Sequence, residues 1–163
     1  MEYSFYWVLI LIKCQDKLLL LNREKTPWMG MWNGIGGKKD ENETAIACAI
    51  RETKEETGIN INKENLFDKG YICWNKDKKY QSGLHLFLYE VNELPFKGTK
   101  KTEEGILEFK DINWILKKDN VGVVPNMSIC LDKLLNSKDR FLYLIKYKKN
   151  GMITKVRVTN LCL

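Results

Sequence analysis

One stretch constrains this chain more than any other: a glycine-dense loop that runs into a helix crowded with glutamates. From Thr44 to Thr57 the residues Ala45, Ile46, Ala49, Ile50 and Thr53 recur at helical spacing, a stripe that needs another layer to cover it. Gly58 stands where a helix favours glycine just past its end. The same helix carries Glu52, Glu55 and Glu56. At about 100° per residue these three fall within an arc of about 100°, all in the last turns. Negative charge is unfavourable there, because the macrodipole already places a partial negative charge at that end. Glu52 also repels each of the other two by roughly 0.2–0.5 kcal/mol. A hard divalent cation with oxygen ligands would offset that repulsion. The alternative is a solvated acidic face, with Arg51 pairing to Glu55 and Lys54 screening the rest. The loop favours the cation. Gly34, Gly36 and Gly37 let the backbone pass close to a ligand, and a free carbonyl there supplies a further oxygen.

The rest of the chain reads as the sheet that this helix must cover. SFYWVLILI is β-branched and aromatic; Gln15 and Asp16 turn it into a second strand at Leu18 to Leu21. Phe67 to Trp74 and Gln81 to Val91 read as strands joined by a polar turn at NKDKK, and Ile106 to Phe109 as another. Asp111 to Leu116 reads as a helical turn. Asn126 to Leu135, introduced by Pro125, reads as a second amphipathic helix with Ile129, Leu131, Leu134 and Leu135 inward. Asn150-Gly151 between two apolar-rich runs predicts a hairpin over about 140–158. The expected fold is α+β: one mixed sheet sandwiched between helices, α/β/α, with an added C-terminal hairpin.

Composition excludes several classes. The 163 residues suit one domain, 1–163, with a core over about 3–135. The longest apolar run, Phe5 to Ile12, is far short of the roughly 20 residues that span a bilayer. With no basic segment before it and no small-residue cleavage site, this run is not expected to be a signal peptide. Five scattered cysteines without a CxxC pair, and a single histidine, argue against a disulfide framework and against a zinc site. The expectation is a cytoplasmic protein, a monomer or homodimer, without membrane partners. The 27 basic residues exceed the 21 acidic ones by six, which favours anionic partners or simply solubility. The excess concentrates between Lys138 and Arg157, with seven basic residues and one acid, Asp139. No aromatic-rich single-strand motif accompanies it, so nucleic acid is not the expected partner, RNA 5′ ends excepted.

The 23 residues from Gly37 to Ile59 resemble the signature of the Nudix hydrolases. That signature runs Gly, five residues, Glu, seven residues, Arg-Glu, an aliphatic, any residue, Glu-Glu, any residue, Gly, an aliphatic. Here the positions are Gly37, Glu43, Arg51, Glu52, Thr53, Glu55, Glu56, Gly58 and Ile59, and Thr53 is the one departure. The resemblance implies a Nudix-like sheet and Mg²⁺, with Mn²⁺ as the other candidate. It implies that Glu52, Glu55, Glu56 and the Gly37 carbonyl hold the metal, and that Arg51 and Glu43 pair to orient the glutamates. The reaction is water attack on phosphorus in a nucleoside diphosphate linked to another group. A fourth acid in some members maps to Glu104, with Glu103 second; a solvated loop carboxylate is the other reading.

WNGIGGK, Trp32 to Lys38, is similar to the branch that converts oxidised purine nucleoside triphosphates, such as 8-oxo-dGTP, to monophosphate and pyrophosphate. That similarity makes Asn33 a reader of the purine edge and sets Gly36 and Lys38 against the substrate. The other reading of Asn33 is a turn residue bonded to its own backbone. Asn126 is either a base contact or the N-cap of the helix it precedes. Val124 stands where that branch carries a stacking Trp. Trp28, Met29, Met31 and Trp74 are stacking or core residues, and His85 is a strand residue. Other substrates of the same reaction class are ADP-ribose, nucleotide sugars and the 5′ ends of RNA. A non-catalytic ligand-binding or regulatory module is the alternative of another class, as is a structural protein with an acidic helix, which would bind no metal. Modules of the first kind usually lose signature glutamates, and this chain keeps them all.

Overall fold

Nine strands and two long helices are found in the computed structural model, which describes residues 5–74 and 82–162. The NKDKK turn expected between the fourth and fifth strands lies outside the described residues. In chain order the elements are β1 (Trp7–Cys14), β2 (Lys17–Arg23), β3 (Trp32–Asn33) and α1 (Ala45–Thr57). Then come β4 (Leu66–Trp74), β5 (Ser82–Glu90), β6 (Thr99–Lys101) and β7 (Gly105–Asp111). A single turn, α2 (Ile112–Ile115), precedes α3 (Pro125–Asn136), β8 (Phe141–Tyr147) and β9 (Ile153–Asn160).

The strands form one mixed sheet in the order β6-β7-β2-β1-β5-β4-β8-β9, with β3 paired to β2. β1 runs parallel to β5, and β4 parallel to β8; the other pairings are antiparallel. Alternate residues of β1 and β2 face opposite sides, as the pleat requires. Val8, Ile10, Ile12, Leu19 and Leu21 meet Cys48 and Ala49 of α1. Leu9, Leu11, Leu18 and Leu20 meet Met127, Cys130, Leu131 and Leu134 of α3. The two helices therefore cover opposite faces, the expected three-layer arrangement.

Helix α1 starts one residue later than expected, because Thr44 is its N-cap and accepts the Ala47 N–H at 3.2 Å. Gly58 closes it in the left-handed region, φ 77°, with its N–H on the Lys54 carbonyl at 2.9 Å. The stripe it buries is Cys48, Ala49, Thr53 and Thr57; Ile46, expected inside, is 43% exposed. Thr53 is fully buried, facing away from the glutamates. On α3, Leu131 and Leu134 are buried as expected, while Ile129 and Leu135 only edge the core, and Met127 and Cys130 take the inner positions.

The C-terminal strands are not an appendage. β8 is inserted beside β4, and Phe141, Tyr143 and Ile145 enter the same cluster as α3, so the core runs past the expected limit at residue 135. No described helix is long and apolar enough to cross a membrane.

Candidate active site

The loop ahead of α1 is held against β1 in a strand-like rhythm. Ile10 and Ile35 exchange backbone hydrogen bonds at 2.6 and 3.0 Å, and the Val8 N–H donates to the Gly37 carbonyl at 3.0 Å. This approach leaves no room for side chains. A Cβ at Gly36 would land on the Val8 carbonyl oxygen, and one at Gly37 on the carboxyl of Glu52. Gly36 is thus required by the contact of the loop with β1, and Gly37 by its contact with α1.

A cavity of about 450 Å³ opens along this contact. Glu52, Glu55 and Glu56 line it from α1, and Gly36, Gly37 and Lys38 from the loop. Trp7, at the start of β1, Arg23, at the end of β2, and Thr102, Glu103 and Glu104 complete the wall. Glu103 and Glu104 are brought here by a tight turn: the Thr102 N–H donates to the Gly105 carbonyl at 2.8 Å, and the Glu24 N–H to the Glu104 carbonyl at 3.0 Å. Glu104 is ion-paired to Lys25 at 2.8 Å. Arg23, Lys25 and Thr102 carried no signal in the sequence, being lone residues at strand ends, and only the fold places them.

Arg51 organises the acids. Its Nε and Nη2 donate to the two oxygens of Glu43 at 2.9 and 2.8 Å, a bidentate fork. Its Nη2 also donates to the Lys38 carbonyl at 3.1 Å, tying loop to helix. The Arg51 hydrogen bonds hold the Glu43 carboxyl at about 2, well below the ordinary value of 4.5. Arg51 Nη1 reaches Glu52 at 2.8 Å and Glu55 at 3.2 Å, so the guanidinium lies between two of the three acids. Both expected readings of the helix therefore meet in one residue: the Arg51–Glu55 bridge exists, and so does the shared cleft.

Glu56 is left out of this network. Its Oε2 is buried without a hydrogen-bond partner among the described residues. Burial first, and then the charge of Glu52, push its carboxyl up to about 8. Burial also raises Glu52, against the pull of Arg51. As the side chains stand, no three acidic, histidine or cysteine groups among the described residues converge closely enough to enclose a metal. The donor set nevertheless suits one: three carboxylates and no nitrogen or sulfur select a hard cation, and the Glu56 Oε2 has no hydrogen-bond partner among the described residues.

The Gly37 carbonyl, expected to be free, is engaged by Val8. The Gly36 N–H acts on Glu56 instead. Gly36 lines the cleft beside Glu56, which makes its carbonyl the candidate backbone oxygen there.

The expected base-reading residues lie elsewhere. Asn33 ends β3, in register with Leu21, and its Oδ1 accepts the Gly34 N–H at 2.9 Å, the local turn bond. Asn126 is not the N-cap of α3. Val124 holds that position, with Pro125 as the first helical residue. The Trp32 N–H donates to the Gly122 carbonyl at 2.8 Å, and the Val124 N–H to the Trp32 carbonyl at 3.0 Å. These bonds lay the start of α3 beside β3, but neither Asn33 nor Asn126 lines the glutamate cleft. Val124 is buried. Trp28, Met31 and Trp74 pack against the α3 cluster, whereas Met29 is 62% exposed. His85 is stacked between Tyr71 and Phe87 with Nε2 2.9 Å from Asp68, a strand residue outside the cleft.

Comparison with known proteins agrees with this layout. The NUDIX domain family matches residues 6–126. A Nudix hydrolase of Bacillus subtilis, YvcI, is 30% identical over 129 residues, 78% of this chain and 77% of that protein. A mouse oxidized purine nucleoside triphosphate hydrolase is 36% identical over 74 residues, under half of either protein at 45% and 46%. The fold matches a MutT protein of Bacillus halodurans with a TM-score of 0.71 at 24% identity, covering 93% of this chain and 95% of that one. With the signature acids gathered in one cleft on that fold, the chain belongs to the Nudix hydrolases.

Proposed function

We propose that this Nudix hydrolase converts purine nucleoside triphosphates, oxidised ones preferred, to the monophosphate and pyrophosphate. The observation that carries the catalytic part is Glu56, whose buried Oε2 has no hydrogen-bond partner among the described residues, beside Glu52 and Glu55 in a cleft rimmed by Arg23 and Lys38. Glu52, Glu55, Glu56 and the Gly36 carbonyl would hold Mg²⁺, which supplies charge neutralisation at the phosphates and activates the attacking water. Arg51 keeps Glu52 and Glu55 oriented through its anchor on Glu43. Arg23 and Lys38 place positive charge where a polyphosphate enters. Glu104, held by Lys25, adds a carboxylate on the wall opposite α1.

The purine part rests on WNGIGGK and on the name of the mouse relative, which matches less than half of this chain. Asn33 reads the base only if its side chain exchanges the local bond to Gly34 for one to the substrate. The test is a panel of kcat/KM values with Mg²⁺ for 8-oxo-dGTP, dGTP, the other triphosphates, ADP-ribose and a 5′-triphosphate RNA. Preference for 8-oxo-dGTP that Asn33→Ala erases supports the assignment. An even profile, or one led by ADP-ribose or RNA, discards the purine reading and keeps the hydrolase.

A further inference from the structure

The positive charge of this chain is not spread over it. From Arg140 to the C-terminus there are six basic residues and no acidic one. The other 139 residues carry 21 basic and 21 acidic side chains, so the whole excess of six belongs to the β8–β9 hairpin and its ends. Some cations outside the hairpin are paired with carboxylates, Lys13 with Glu90, Lys17 with Asp111, Lys25 with Glu104 and Lys110 with Glu108, and within the segment Arg140 pairs with Asp68. Among the described residues Lys146, Lys155 and Arg157 have no such partner, and all three are exposed.

These three line a second cavity of about 410 Å³, with Leu144, Ile145 and Val156 between them. Lys146 and Lys155 are directly opposite each other in the β8–β9 register, and Arg157 is opposite Leu144 on the same face. Like charges placed opposite one another destabilise a strand pair. Protection of an exposed edge explains cations on β9, the last strand of the sheet. It does not explain Lys146, which is on the inner strand β8. An anionic occupant does.

We propose that this groove docks the phosphate backbone of a single-stranded nucleic acid. The cations form a short row, about 7 Å along β9 from Lys155 to Arg157 and about 5 Å across to Lys146, which suits a linear polyanion lying over the sheet. The groove they line has no aromatic side chains, so contact is with phosphates and not with bases. The groove is four strand spacings from β1, about 19 Å from the loop and the glutamate cleft, so it acts apart from catalysis on free nucleotides. The proposal does not depend on which nucleotide is the substrate.

The experiment is fluorescence anisotropy of a 5′-dye-labelled oligouridylate with a 5′ end that cannot be hydrolysed, titrated with the full chain at several salt concentrations. Three neutralised phosphates predict a slope of about −2 in log affinity against log salt, roughly a 15- to 20-fold loss between 50 and 200 mM. Lys146→Glu, Lys155→Glu and Arg157→Glu combined should lower affinity at 50 mM at least about tenfold and flatten the slope. Mg²⁺-dependent nucleotide hydrolysis should be unchanged. If the reversed variant melts early, Lys146→Gln, Lys155→Gln and Arg157→Gln combined serves in its place. Lack of saturable binding at 50 mM, wild-type affinity in the combined variant, or binding to phosphatidylserine vesicles without binding to the oligonucleotide would each overturn the proposal.

Discussion

Replacing Glu43 by glutamine isolates the residue that aims Arg51 without touching the three cleft glutamates. The substitution removes one charge from a pair whose side chains are 13% and 27% exposed and that shares two hydrogen bonds of 2.8 and 2.9 Å. Holding a carboxyl at about 2 in place of 4.5 corresponds to an upper bound of about 3.4 kcal/mol. Solvent at the open side of Arg51, and the bonds it keeps to Glu52 and Glu55, reduce the expected loss to about 1.5–3 kcal/mol. For a domain of this size that lowers the melting temperature by roughly 4–10 °C. The pH dependence has a definite sign. The folded pKa lies below the unfolded one, so the contribution is complete above about pH 4.5 and disappears as the pH falls through about 2. Urea unfolding of wild type and Glu43→Gln, followed by circular dichroism at pH 7, 4 and 3, should give a stability gap that narrows steadily. A gap that stays constant down to pH 3, or none at pH 7, would refute the role assigned to the pair.

Two further outcomes follow from packing. Gly37→Ala drives a methyl group into the Glu52 carboxyl, so hydrolysis should fall at least about a hundredfold while far-ultraviolet circular dichroism stays native. Tyr143→Ala empties a fully buried site between α3 and the sheet, and should cost about 3–5 kcal/mol in urea unfolding. A loss under about 1 kcal/mol would mean that β8 is dispensable to the core.

Much of the site was legible in the sequence because a helix enforces its own geometry. Spacing alone set Glu52, Glu55 and Glu56 on one face, and the glycines announced a close approach that the structure locates at Val8 and Glu52. Asn150-Gly151 announced its hairpin in the same local way. What escaped was tertiary. β3 and β6 have two and three residues, too few for any periodicity, and exist through their pairing with β2 and β7. An apolar strand reads alike whether it is added outside a sheet or inserted beside β4, so the burial of Tyr143 was not visible. The bond from Val8 to the Gly37 carbonyl was not visible either, since alternation along the loop is fixed only by its bonds to β1. Ile46 fits the helical stripe by spacing, yet falls at the exposed margin of α1.

The central claim is that the carboxylate face of α1 is a metal-dependent catalytic centre. Its most direct test is a Mn²⁺ titration by electron paramagnetic resonance of wild type, Glu52→Gln and Glu56→Gln, with nucleotide hydrolysis assayed on the same samples. The account predicts that each substitution weakens Mn²⁺ binding at least about tenfold and abolishes turnover, with the far-ultraviolet circular dichroism unchanged. Wild-type Mn²⁺ binding and turnover in both variants would contradict it.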